Sequence, residues 1–274
     1  MLGILAVWDA GYSRAASSGQ IIPREVVNQV CFTVAAVFLG HFVSKAKPQA
    51  IRRLTPWIGV GCVALLAAVL VPGIGKEVNN ARRWISLPFG TTLQPAEFAK
   101  IGCVLLTAAL VTGWKAVDLR KDRPWYVRYD QAVAQNIGRL WPLALILVTF
   151  LFLEFESDLG TAAVTAVAIF GVLVAANVKP RVLVGLAVCG MAVAGTMVLK
   201  VGYRHNRIVN HVQRWQPEYR DDLGYQTTQS EIAMARGGPI GQGFGNGRAK
   251  HKLPVPTSDF VLATVAEEIG RAHV

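Results

Sequence analysis

Charge is what this sequence has least of. Asp, Glu, Lys and Arg make up only 16% of its 274 residues, against about 25% in ordinary soluble domains. Hydrophobic residues make up 53% and mean hydropathy is +0.38, which excludes a soluble globular domain as the first reading. Cysteine is nearly as scarce. Cys31, Cys62, Cys103 and Cys189 fall in four different apolar windows with no CxxC spacing and no disulfide framework, so they are read as packing residues. The histidines, His41, His205, His211, His251 and His273, lack HExxH or any other ligand spacing, which argues against a zinc site. The glycine-rich stretch ARGGPIGQGFGNGRAK (235–250) lacks GxxxxGK[ST] and is not a P-loop. Heptads, low-complexity tracts and a soluble domain are also missing.

What is present is a series of apolar runs. A membrane-crossing helix needs roughly 20 mostly apolar residues, and Val26–Val43, Trp57–Val71, Phe98–Gly113, Leu140–Leu153, Leu159–Ala176 and Val182–Val201 qualify or nearly do. The expectation is an all-α polytopic membrane protein with six whole spans. Two more segments, Leu2–Ala10 and Phe260–Ala266, are read as partial spans. Met1–Gly11 has no basic n-region and no cleavage site, so it reads as a clipped span and not a signal peptide.

The formal charge of +11 suggests nucleic acid until its distribution is considered. Lys45, Lys47, Arg52 and Arg53 cluster in one connection, Lys115 to Arg139 in a second, and Lys179 and Arg181 in a third. Alternating spans put all three on one side, which by the positive-inside rule is cytoplasmic. The opposite side then holds 13–24, 72–95, the turn at 156–158 and the long loop 202–258. That loop is rich in cations, and a loop approaching 60 residues escapes the rule.

Charged groups at span ends are costly and mark function. On the outer side these are Glu97, Glu154, Glu156, Asp158 and Asp259. Glu97 and Lys100 share a helical face and read equally as a structural ion pair or as a working group. Asp158 in ESDLGTAAV and Asp259 in TSDFVLATV both read locally as helix N-caps. The setting of Asp259, closing a loop dense in glycine and cations, adds the reading of a general base. Arg82 and Arg83 beside Trp84 read as a membrane anchor or as a phosphate clamp.

Read together, the segments resemble the SEDS family, the polytopic FtsW and RodA type proteins of bacterial division, elongation and sporulation. The resemblance is carried by VPGIGKEVNNARRWISL, QPAEFAK, FESDLGTA and YQTTQSEIAMARGGPIGQGFGNG, the last followed by TSDF and AEEIG. It implies a fold of ten transmembrane helices, of which residues 1–268 hold a part, with 202–259 as a long extracytoplasmic loop. It further implies an inverting glycosyltransferase in the cytoplasmic membrane that polymerises lipid II into peptidoglycan. Asp259 matches the family's essential loop aspartate, and Glu97, Lys100 and Asp158 match its intramembrane charged cluster. Arg82 and Arg83 match the basic pair of the first loop, and Arg204 and Arg207 fall near the basic motif after the seventh span.

Two departures stand out. Before the eighth span the family has L-P-E-A-H-T-D-F where this chain has Leu253-Pro-Val-Pro-Thr-Ser-Asp-Phe260. The final IGRAHV (269–274) is what ATC GGA AGA GCA CAC GTC encodes, a common sequencing-library adapter, so a non-native tail is expected within 269–274, comprising Arg271–Val274, with Ile269–Gly270 fitting both the adapter and the family. A smaller change, Ser157 in place of the proline of E-P-D-L-G-T-A, is expected to matter less than these two.

Transfer of a glycan from its lipid diphosphate needs a base for the attacking hydroxyl and cations for the leaving group. Asp259 is the expected base, with Arg82, Arg83, Arg204, Arg207 and Lys250 on the diphosphate. No cofactor or metal cage is called for, and a divalent cation assisting the leaving group is left open. The implied partners are lipid II, undecaprenyl-diphosphate-linked glycan, membrane lipid and a class B penicillin-binding transpeptidase, with no nucleic acid. The alternatives are a lipid II flippase, which would depend on Glu97, Lys100 and Asp158, and a non-catalytic scaffold.

Overall fold

The computed structural model describes residues 2–17, 19, 21–78, 81–87, 91–113, 127, 134, 136–200, 208–209, 211–217, 224–253 and 259–273. Its helices are α1 (Leu2–Ser17), α2 (Arg24–Ser44), α3 (Pro48–Leu70), α4 (Pro95–Gly113), α5 (Trp141–Phe155), α6 (Leu159–Ala175), α7 (Pro180–Lys200), α8 (Tyr225–Gly237), α9 (Ala249–Lys252) and α10 (Val261–Ile269). Every one of the six apolar windows coincides with a helix. Four of these helices are long and apolar enough to cross a membrane, and α5 and α6 are shorter apolar helices. The all-α reading holds for the body of the chain. A small antiparallel sheet is added in the 72–95 loop, with β1 (Gly75–Val78), β2 (Ala81–Ser86) and β3 (Thr92–Leu93) in the order β1-β2-β3.

The chain forms two compact units, one of residues 1–44 and 190–274 and the other of 45–189. In the second, α4 packs against α3, α5 and α6. Cys62, Leu66, Ala96, Ala99 and Leu153 form one buried cluster, and Cys103, Leu106 and Ile146 another. Small residues let the helix backbones approach, as membrane packing requires. A Cβ on Gly102 would lie 2.9 Å from the Cys62 sulfur. Buried hydroxyls are satisfied within their own helices, Thr107 donating to the Cys103 carbonyl at 2.7 Å, Thr149 to Leu145 at 2.9 Å and Thr165 to Thr161 at 2.7 Å. That local solution suits an apolar surrounding that offers no water.

The packing role expected of all four cysteines holds for two. Cys62 and Cys103 are buried, whereas Cys31 and Cys189 are exposed on α2 and α7. Those two helices bury none of their spanning windows. Apolar side chains such as Val37, Phe38 and Leu39 stand outward along α2, the pattern of a helix whose solvent is lipid.

In the first unit, α1 packs against α2, α9 and α10, and α8 packs against α10. Ala233, Ala249, Leu253 and Ala263 make its core, with Met234 and Phe260 packed against them.

Candidate functional site

Among the described residues, the acids and cations singled out in the sequence fall into two groups, one in each unit. In the unit of residues 45–189 the group begins on β2. Neighbouring strand residues point to opposite faces, so adjacent arginines reach different partners. Arg82 lies opposite Glu77 on β1 and pairs with it at 3.2 Å on an exposed face. Arg83 turns the other way and donates from Nε to the Glu156 carbonyl at 2.8 Å and from Nη2 to the Ser157 carbonyl at 2.7 Å. Its fork therefore clamps the tight turn between α5 and α6.

That turn is strained and charged. Ser157 has a φ of 57°, in the left-handed region that non-glycine residues rarely adopt. Proline, locked near −65°, has no access to this conformation. The serine-for-proline change therefore fits this conformation, since at this φ the turn depends on a residue other than proline. Asp158 next to it is the N-cap of α6. It accepts from the Thr161 amide at 3.1 Å, the Thr161 hydroxyl at 2.8 Å and Gln94 Nε2 at 3.0 Å. Gln94 stands just before α4, so Asp158 ties the α5–α6 turn to the β3–α4 junction. Glu97 and Lys100 close on each other at 2.7 Å, one turn apart on α4.

Glu156 is the anomaly of this group. It is 1% exposed, and neither carboxylate oxygen has a hydrogen-bond partner. Burial, with the nearby Asp158 charge adding to it, pushes its pKa up to about 7 despite the opposing field of Arg83.

In the other unit the group is built on the glycine-rich loop between α8 and α9. The loop is folded onto the C-terminal end of α10. Gln242 N and Gly243 N donate to the carbonyls of Glu267 and Glu268, both at 3.0 Å. Glu268 accepts from Gly245 N at 2.9 Å and Gly247 N at 3.1 Å, and Glu267 accepts from Ala249 N at 2.7 Å. Glycine is required for this approach. A Cβ on Gly241 would sit 2.1 Å from the Glu268 carbonyl oxygen, and one on Gly247 would sit 2.8 Å from the Glu268 side chain. The glycines bring the loop backbone against both the backbone of α10 and the Glu268 carboxylate.

Lys250 completes the arrangement. Its Nζ donates to Asp9 Oδ1 at 2.9 Å, Glu268 Oε1 at 3.0 Å and the Gly245 carbonyl at 2.9 Å, and its side chain is only 8% exposed. Burial disfavours its charge, yet the two carboxylates outweigh that and raise its pKa above the ordinary lysine value. The expectation that Lys250 contacts a diphosphate is corrected: its three ammonium hydrogens are engaged inside the fold. Its neighbours Arg248 and Lys252 are exposed instead.

Asp259 is exposed and stands one position before Phe260, the N-cap of α10. The expectation that Asp259 caps this helix is corrected, since the helix starts one residue later than its apolar run suggests. Arg204 and Arg207 lie outside the described residues. Asp9, Glu267, Glu268 and Gln94 escaped the sequence reading. The doubled acid of AEEIG and the glutamine of QPAEFAK were the available signals. Among the described residues no group of three or more His, Cys, Asp or Glu side chains converges to hold a metal ion.

The fold defines a polytopic helical membrane protein with polar, acid-bearing turns and loops between its spans. A family model described as cell cycle protein, FTSW_RODA_SPOVE, matches residues 1–272, and the chain belongs to that family. It is a multi-pass protein of the cytoplasmic membrane. A "Probable peptidoglycan glycosyltransferase FtsW" of Legionella pneumophila is 31% identical over 248 residues, covering 89% of this chain and 58% of the relative. One of the same name from Aromatoleum aromaticum is 33% identical over 283 residues, covering 100% of this chain and 64% of the relative. The chain thus spans little more than half the length of the curated relatives it matches. A chain of a solved peptidoglycan synthase complex shares the fold, with a TM-score of 0.64 and 23% identity over 98% of this chain and 69% of that one.

Proposed function

We propose that the protein is a peptidoglycan glycosyltransferase that polymerises lipid II at the outer face of the cytoplasmic membrane, with Asp259 as its general base. The observation that carries this reading is the placement of Asp259. It is an exposed carboxylate, one residue outside its helix cap, on a loop whose flanking segments are laced to α10. The chain's family and its FtsW relatives supply the reaction class. In the reaction a hydroxyl of one lipid-linked sugar attacks the anomeric carbon of the glycan. The base takes the hydroxyl proton, and the lipid diphosphate leaves with the electrons of the broken C–O bond. One such displacement inverts the anomeric centre and needs no second carboxylate, because a diphosphate leaves without a strong acid.

Arg82, Arg204 and Arg207 are proposed for the diphosphate, and Arg248 and Lys252 join them because they are exposed where Lys250 is not. Arg83, expected on the diphosphate from the sequence, has its fork engaged by the Glu156 and Ser157 carbonyls, and that expectation is replaced by a proposed role in supporting the turn. Glu97, Lys100 and Asp158 have structural partners within their own unit, which favours a supporting role over a transport path. The undecaprenyl-linked glycan as donor and a class B penicillin-binding transpeptidase as partner belong to the same proposal.

The test is polymerisation of purified lipid II by the full chain its gene encodes, wild type beside Asp259→Ala, with thermal unfolding as the check on folding. Glycan from the wild type and none from a folded mutant is the expected result. Equal glycan from both would remove Asp259 from the chemistry.

A further inference from the structure

The proposed chemistry leaves the buried contacts of Lys250 unused. A lysine held 8% exposed between two carboxylates is expensive to build, and its position in the chain suggests what it is for. Lys250 is on α9, before the segment that carries Asp259, and Glu268 is on α10, after it. Ala249 N, also on α9, donates to Glu267 of α10. Leu253 at the end of α9 and Phe260 at the start of α10 pack in the same apolar cluster. Both stems of the 253–260 segment are therefore fastened to each other. Asp9 fastens the same ammonium to α1, 241 positions away in sequence.

We propose that Lys250, held by Glu268 and Asp9, is a positioning residue that fixes the two stems of the segment presenting Asp259. This inference rests on the reading of Asp259 as the base. It assigns Lys250 no contact with substrate. A flexible stem would let the carboxylate wander, and a misplacement of about 1 Å is enough to lower turnover roughly a hundredfold. Substrate affinity, set by other groups, would hardly change.

The experiment measures kcat and KM for lipid II in Lys250→Met, Lys250→Arg and Asp9→Asn full-length protein, together with amide hydrogen exchange over residues 241–260. Lys250→Met is expected to lower kcat on the order of a hundredfold with KM within about twofold. Lys250→Arg, which keeps the charge, should recover part of the loss, and exchange should quicken across 241–260 while α3 to α6 stay protected. Unchanged kcat and exchange in Lys250→Met would overturn the proposal, and so would a rise in KM at constant kcat. Should Lys250→Met fail to fold, Asp9→Asn removes one strand of the same tie and is read by the same criteria. A wild type that makes no glycan would defeat the proposed function, and the exchange data would still decide whether Lys250 fixes the segment.

Discussion

Two aspartates in this chain have the same local spelling. Asp158 follows Ser157 and precedes Leu159, and Asp259 follows Ser258 and precedes Phe260, each at the head of an apolar run. The structure separates them. Asp158 caps α6 and is further held by Gln94, whereas Asp259 stands exposed outside the cap of α10. The contrast shows that the same spelling makes a cap where the helix starts immediately after the acid, whereas one residue further out the carboxylate lies at the surface instead.

The sharpest way to probe the Asp158 side is through its buried neighbour. Glu156 has a folded pKa of about 7 against an ordinary 4.5, so the folded state binds more protons between those values. Stability is then greatest below about pH 4.5 and falls as pH rises through about 7, by something on the order of 3 kcal/mol. Glu156→Gln should flatten this profile in unfolding titrations across that range, and an unchanged slope would mean that the carboxylate is hydrated.

Asp158→Ala should lower stability by about 1–2 kcal/mol in chemical denaturation, the usual loss for a capping residue. Asp158→Asn retains a capping side chain and should stay within about 0.5 kcal/mol of wild type. Ser157→Gly relieves the left-handed backbone and should stabilise by up to about 1 kcal/mol, whereas Ser157→Pro cannot adopt φ 57° and should destabilise. The smallest effect is expected for Arg82→Ala. Its partner Glu77 is 53% exposed, and surface pairs of this kind are worth less than about 1 kcal/mol. A large loss of stability there would mean that Arg82 has a structural partner besides Glu77.

Much of the architecture was legible because apolar runs of span length have few other uses. All six windows became helices. The β1-β2-β3 sheet was not foreseen, since its strands are two to six residues long and alternate only weakly. The polar site was half legible. The residue types at 82, 83, 97, 100, 158 and 259 stand out at span ends, but their partners are set by tertiary contact. Arg83 finds two carbonyls 73 and 74 positions away, and Lys250 finds Asp9 across 241. No local pattern encodes such distances. The glycine loop stood out by composition, and only the structure shows that it packs closely against α10.

The most direct measurement compares Asp259→Asn with Asp158→Asn in one lipid II polymerisation assay, each beside its own unfolding curve. Both changes remove a charge and keep the side-chain shape. The account predicts a loss of at least about a hundredfold for Asp259→Asn, the range for a removed general base, and less than about threefold for Asp158→Asn, with both proteins as stable as wild type to within about 0.5 kcal/mol. Equal losses in the two variants, or activity retained in Asp259→Asn, would contradict it.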